Sequence, residues 1–346
     1  MKNGLSTNTI NPRGSGELIA AAEKKAAFSR FVSSDTVLLL GILAAVLVLG
    51  AIWTPQMYSW GNFYNILRTA SYAGIVALSA SLVLLVGEFD LSTGSIISLS
   101  SMTASLLLGK VTNSWIPIVV TLAVGMICGI FNGILVVKLK IPALFATLGT
   151  MQFYSGLAML ITSNVSVFVY EYGIYRVLGK GAIFGLPIPA IIFVVLALVL
   201  HLILTKTKFG KEYYYTGTNS RAAYLSGINV NQKKIIAYAL AGMIASISGI
   251  AISGQVNMIA SIMGNGYELS GIAIAILGGV RMGGGRGTVL GTLIGAITFQ
   301  IMLNMLTLSG LGTYAEQVLK GALLIIIVIV YYVVDKNKAK RQAMRA

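Results

Sequence analysis

Apolar runs the length of membrane helices alternate with polar breaks along this chain. They fall at residues 36–53, 66–87, 94–109, 115–137, 142–163, 189–205, 235–255, 267–280, 287–307 and 316–334. A helix needs about 20 apolar residues to cross a bilayer, so each run predicts a spanning or near-spanning helix. The expected fold is an all-α polytopic membrane protein of about ten transmembrane helices, occupying residues 36–334. A polar tail, 1–35, precedes it and a basic tail, 335–346, follows. The largest polar interruption is residues 206–234.

Two runs are unusual. Residues 94–109 carry Ser95, Ser98, Ser101 and Ser105 at spacings of three and four, which line one helix face. Residues 267–280 are short for a full crossing and lead into Gly278-Gly279 and Gly283-Gly284-Gly285. Each follows an acidic cluster, Glu88 and Asp90 before the first and Glu268 at the start of the second. A carboxylate at the bilayer centre costs about 2.5–3.5 kcal/mol on insertion scales. Two readings of these carboxylates stay open. They cap helix N-termini, where negative charge is favoured, or they meet a passing solute. Short or glycine-interrupted segments at matching places in two halves point to broken helices around a transport path.

A Gly-x-x-x-Gly-x-x-x-Gly stripe occurs at Gly125, Gly129 and Gly133, and again at Gly287, Gly291 and Gly295. Stripes and acidic clusters are both offset by five spans, an odd number, as in a five-plus-five inverted repeat. Small residues at this spacing let helices pack closely in lipid. Close packing is the plainer role, and a rocking surface is the functional alternative.

Composition agrees with a membrane protein: 56% of residues are hydrophobic, 10% are charged, and mean hydropathy is +0.85. The net charge of +15 does not point to nucleic acid. Of the 25 Lys and Arg, 20 fall on one side of the predicted topology, which makes that side, with both termini, cytoplasmic. Residues 1–35 lack an early apolar core, so the first run reads as an uncleaved span. The lone cysteine, Cys128, excludes an intramolecular disulfide, and a metal cluster is not expected. His201, the single histidine, sits at a span end and reads as an interfacial side chain. Gly283-Gly284-Gly285-Arg286-Gly287 is not a phosphate loop, because no Gly-x-x-x-x-Gly-Lys-Ser/Thr occurs. Neither a rhomboid-type serine site nor an intramembrane aspartyl site is present. In 206–234, Ser220–Ser226 suggests a short surface helix, capped by Asn219 or Ser220 and ended by Gly227. It either faces a partner protein or serves as a solvated connector.

These same residues carry a resemblance. Gly87-Glu-Phe-Asp-Leu-Ser-Thr-Gly-Ser resembles the Gly-Gly-Ile-Asp-Leu-Ser-x-Gly segment of the ribose-type ABC importer permeases. Pro142-Ala-Leu-Phe-Ala-Thr-Leu-Gly-Thr-Met, Gly217 through Ile228, and Gly266 through Gly295 are also similar to that family, in family order, across about residues 61–334. The resemblance implies a bacterial inner-membrane subunit of an importer for monosaccharides. Its implied partners are a second permease copy, an ATPase chain with two nucleotide-binding domains that holds ATP and Mg²⁺, and an extracytoplasmic sugar-binding protein. No cofactor is expected on this chain. Gly217, Asn219, Arg221, Ala222, Ala223, Ser226 and Gly227 would form the ATPase-coupling loop. Glu88, Asp90, Ser92, Glu268, Gly283 and Gly284 would belong to the path or its broken helices. Glu88-Phe89 departs from the family's Gly-Ile and leaves the sugar open. The alternative class is a secondary carrier or channel in which Asp90 and Glu268 relay protons.

Overall fold

The computed structural model describes residues 34–329 apart from positions 112, 114, 170, 171, 313, 324, 327 and 328. Most of the 1–35 tail, the 335–346 tail and the end of the tenth run lie outside the described residues.

Among the described residues, these α-helices follow in order, with a 3-10 turn at Pro55–Tyr58 between the first two: α1 Ser34–Trp53, α2 Trp60–Leu85, α3 Thr93–Ser105, α4 Trp115–Val137, α5 Ala143–Ile161, α6 Gly173–Lys180, α7 Ile188–Lys206, α8 Lys208–Thr218, α9 Ser220–Leu225, α10 Val230–Val256, α11 Tyr267–Leu277 and α12 Val289–Leu308. Residues 314–323 are also helical. Two small antiparallel pairs join Val167–Phe168 to Met258–Ile259 and Ala182–Ile183 to Leu186–Pro187. Among the described residues, six helices (α2, α4, α5, α7, α10 and α12) are long and apolar enough to cross a membrane.

The sequence predicts about ten spanning or near-spanning runs and marks 94–109 and 267–280 as unusual, and in the structure those two are short helices. α3 has 13 residues and α11 has 11. At 1.5 Å rise per residue, these reach only about 20 Å and 17 Å, against about 30 Å of hydrocarbon. α3 is buried at all but Thr103, and α11 is buried from Ser270 to Ile276, so they are short helices packed among longer ones. The residues 206–234 carry the expected short helix, α9, and before it a second helix, α8, that the sequence pattern does not predict.

α2 and α10, with 26 and 27 residues, form the centre. Their apolar windows are mostly buried, whereas those of α4, α5 and α7 are mostly half-buried or exposed, as lipid-facing helices require. α10 packs along α4 through the first glycine stripe. A Cβ on Gly125 or Gly129 would collide with Ser246 or with the Tyr238 carbonyl. In the second stripe, Gly291 and Gly295 pack against the end of α11, and Gly287 lies in the turn before α12. Trp53, Trp60 and Trp115 are exposed at helix ends, an interfacial arrangement. The α7–α10 connection, with its lysines, marks the opposite, basic end.

Candidate functional site

α2 ends at the basic end of the molecule, and the chain turns there at Gly87, whose φ is +81°. It then runs without regular structure through Glu88–Asp90 and bends at Leu91 before α3 begins. Asp90 sets that beginning. Its Oδ1 accepts from the Ser92 backbone N–H at 2.8 Å and from the Ser92 hydroxyl at 2.6 Å. This short acidic turn holds the N-terminal residue of a helix that has lost its continuation. Ser92 Oγ also accepts from Asn132 Nδ2 at 2.7 Å. The Tyr154 hydroxyl donates between two acceptors, the Asn132 side-chain oxygen at 3.1 Å and the Cys128 carbonyl at 3.0 Å. Tyr154, Asn132, Ser92 and Asp90 thus form one buried donor chain across α5, α4 and the break. Asp90 Oδ2 is buried and has no partner among the described residues.

Glu268 lies in the first turn of α11, and both its oxygens accept from the Gly266 N–H, at 3.1 and 3.0 Å. Gly94, in the first turn of α3, packs directly on this carboxylate; a Cβ there would collide with Glu268 and with the Gly264 carbonyl. The Gly264 N–H donates to Ser98 Oγ at 3.0 Å. α3 runs away from the basic end and α11 runs toward it, so the two N-termini meet inside the protein. Each carries about half a positive charge from its unpaired N–H groups. Glu268 sits between them, where a carboxylate offsets both.

Glu88 does not join this arrangement. Its carboxylate takes Lys234 Nζ at 2.6 Å, from the first turn of α10. Tyr238, one turn further along, donates to the Phe89 carbonyl at 2.8 Å.

The second break, between α11 and α12, returns to the same place. Gly284, at φ +77°, packs against Gly87 and Gly217, and the Gly285 N–H donates to the Leu85 carbonyl at 2.9 Å. α8 closes the junction. A Cβ on Gly217 would collide with the Leu85 carbonyl. Tyr213 donates to the Leu82 carbonyl at 2.8 Å and Tyr214 to the Gly287 carbonyl at 3.0 Å. The two sequence-predicted turn glycines therefore differ. Gly284 needs its glycine, whereas a Cβ on Gly283 would meet open space.

α9 is the short helix expected from Ser220 onward. Asn219 caps it, its Oδ1 accepting from the Ala222 N–H at 3.0 Å, and Gly227 follows it at φ +81°. Arg221, Ala222, Ser226 and Gly227 are exposed, while Ala223 is buried and Gly217 faces Leu85. The helix also exposes Tyr224 at 71% and Leu225 at 77%, two apolar side chains absent from the sequence-predicted set. Beside it opens a groove of about 510 Å³, lined by Lys211, Tyr215, Thr218, Ala222, Ser226 and Ile228 among others. Glu212, on α8, pairs with Lys233 at 2.6 Å, and that hydrogen bond holds its carboxyl below the usual glutamate range. Among the described residues, no group of three His, Cys, Asp or Glu could hold a metal ion.

A family model described as "Branched-chain amino acid transport system / permease component" matches residues 62–328. The chain is 35% identical over 294 residues to the ribose import permease protein RbsC of Escherichia coli K12, covering 83% of this chain and 92% of that one. It is 31% identical over 334 residues to the L-arabinose transport system permease protein AraH of the same organism, covering 96% and 99%. It is 32% identical over 287 residues to the autoinducer 2 import system permease protein LsrC of Yersinia pestis, covering 83% and 81%. No solved structure matches the chain. The family description names an amino acid, but these relatives import sugars or an autoinducer and match most of both chains. The broad description therefore fixes the transporter class, and the relatives fix the branch. The chain belongs to the sugar ABC importer permease family: it is a multi-pass membrane transport subunit.

Proposed function

We propose that this chain is the translocating subunit of an ATP-driven importer for a monosaccharide of the ribose, galactose or xylose type. An extracytoplasmic binding protein delivers the sugar, and an ATPase chain with two nucleotide-binding domains docks at the basic, cytoplasmic end. ATP and Mg²⁺ are held by that partner. Two permease copies form the path, both termini are cytoplasmic, and the membrane is the bacterial inner membrane.

The observation that carries this reading is the convergence of α3 and α11, both half-length, with their other connections gripped by α8. Broken helices that meet inside a transporter commonly frame its binding site. A short exposed helix, α9, joined through α8 to both breaks is a route by which ATP-driven movement reaches them. In this account Asp90, Ser92 and Glu268 shape the break, and Gly284 anchors its turn. Asn219, Arg221, Ala222, Ser226 and Gly227 present α9 to the ATPase. Ala223 and Gly217 seat it on the bundle.

Reconstitution tests the reading. Vesicles holding this chain, the ATPase and the binding protein should take up sugar only with internal-facing ATP. Uptake by the purified chain alone, driven by a proton gradient and abolished by an uncoupler, would contradict it and favour a secondary carrier.

A further inference from the structure

Two consecutive lysines in the first turn of α10 reach different elements. Lys233 Nζ lies 2.6 Å from Glu212 on α8 and 4.3 Å from the centre of the Phe209 ring. Lys234 Nζ lies 2.6 Å from Glu88 in the α2–α3 break. Neighbouring side chains on a helix diverge by about 100°, so one turn can hold two elements at once. The site is not one that helix stability would select. Cations are unfavourable near a helix N-terminus, where the backbone dipole is already positive. The four charged side chains are only 12–22% exposed. Their charges are largely removed from water and depend on their partners. Glu88 is also one of the two positions, with Phe89, at which this chain departs from the ribose-type motif. Tyr238 adds a second hold on the same segment through the Phe89 carbonyl.

We infer that Lys233 and Lys234 form a two-armed latch that ties α8 and the α2–α3 break to one turn of α10. The closed latch keeps the basic-end mouth shut, and the Glu88–Lys234 arm parts when α9 is displaced. Glu88 and Lys234 are positioning residues: they act on the break through the segment leading to Asp90 and need not touch solute. The inference rests on the importer reading above.

The complete transporter in vesicles provides the test, with ATP hydrolysis in the absence of solute and solute moved per ATP as readouts. Glu88→Gln and Lys234→Gln should each raise solute-independent hydrolysis, and lower solute per ATP, by about five-fold, the effect of losing one partly buried pair. The charge exchange E88K/K234E should bring both values back toward those of the unmodified protein. A merely structural role would lower the amount of assembled complex without moving the ratio. An unchanged ratio in both single variants overturns the latch, as does an exchange that leaves the ratio impaired in properly assembled complex. A second measurement does not depend on charge. In a Cys128→Ala background, Glu88→Cys with Lys234→Cys bridged by a short cleavable bifunctional thiol reagent should stop uptake, and cleavage should restore it. Undiminished uptake by the bridged protein overturns the latch. The unmodified complex separates the two failures. Its inability to show ATP-dependent uptake would count against the importer reading, whereas its uptake alongside indifferent variants would count against the latch alone.

Discussion

Single side chains at the two breaks set how much each position tolerates. Gly283 and Gly284 are adjacent, yet only Gly284 combines a positive φ with close backbone on both sides. Gly284→Ala should lower stability by about 1–3 kcal/mol, the usual cost of overpacking, with added backbone strain. Gly283→Ala should stay within about 0.5 kcal/mol, as for a surface change. Thermal melting of the purified protein in detergent checks both. Asn132 gives a second test. Asn132→Leu would remove the bridge between α5 and the break while Tyr154 keeps the Cys128 carbonyl and Ser92 keeps Asp90 as acceptors, at a cost of about 0.5–1.5 kcal/mol, that of a lost hydrogen bond. Conversely, a melting point unmoved by Asn132→Leu would show that the donor chain does not hold α3. Glu88, Asp90 and Glu268 stand out in the sequence because carboxylates are rare between apolar runs. Asn132 and Tyr154 do not, because each is an uncharged side chain on an apolar helix. The burial cost of the Asn132 amide was the available signal. Spacing along the chain could not show that Glu88 leaves the cap to Asp90 and reaches Lys234, 146 positions away.

At the scale of elements, α8 and α9 act as one unit that grips the bundle on one face and presents a second face outward. Ala222→Trp adds bulk on the exposed face and should leave the fold intact while reducing ATP-coupled uptake. Ala223→Trp adds it against the bundle and should instead reduce the amount of folded protein. Size-exclusion profiles and ATP-coupled uptake distinguish the two. The Glu212–Lys233 pair ties α8 to α10, and its pH dependence has a definite sign. Glu212 is held below its ordinary range in the fold, so its stabilising effect is present above about pH 4.3 and is lost as pH falls through the folded value. Protection factors of the α8 amides, corrected for the intrinsic pH dependence of exchange, should fall on acidification through that window, and in Glu212→Gln they should be lower throughout and flat across it. Periodicity located the membrane helices because long apolar runs have few other fates. It missed α8, whose mixed polar sequence reads as a loop, and α6, eight residues long, which is too short to give a period. The short lengths of α3 and α11 were hinted at by Ser and Gly content, but their meeting point is a property of the packed bundle.

For the whole molecule, the account joins three features: lipid-facing outer helices, two enclosed half-helices with opposed directions, and a basic-end unit in contact with both breaks. The relatives place the chain among sugar importer permeases. In the proposed function, a path at the meeting point of α3 and α11 opens to each side in turn. Thr93 is the natural probe, since it is buried in the first turn of α3 and its hydroxyl has no partner among the described residues. In the assembled transporter, with Cys128→Ala and Thr93→Cys, a membrane-impermeant thiol reagent would be added to one side of the vesicles at a time, with and without ATP. The account predicts that the side from which position 93 is labelled changes with the nucleotide state. Labelling from the same side in every state, or from neither, would contradict it.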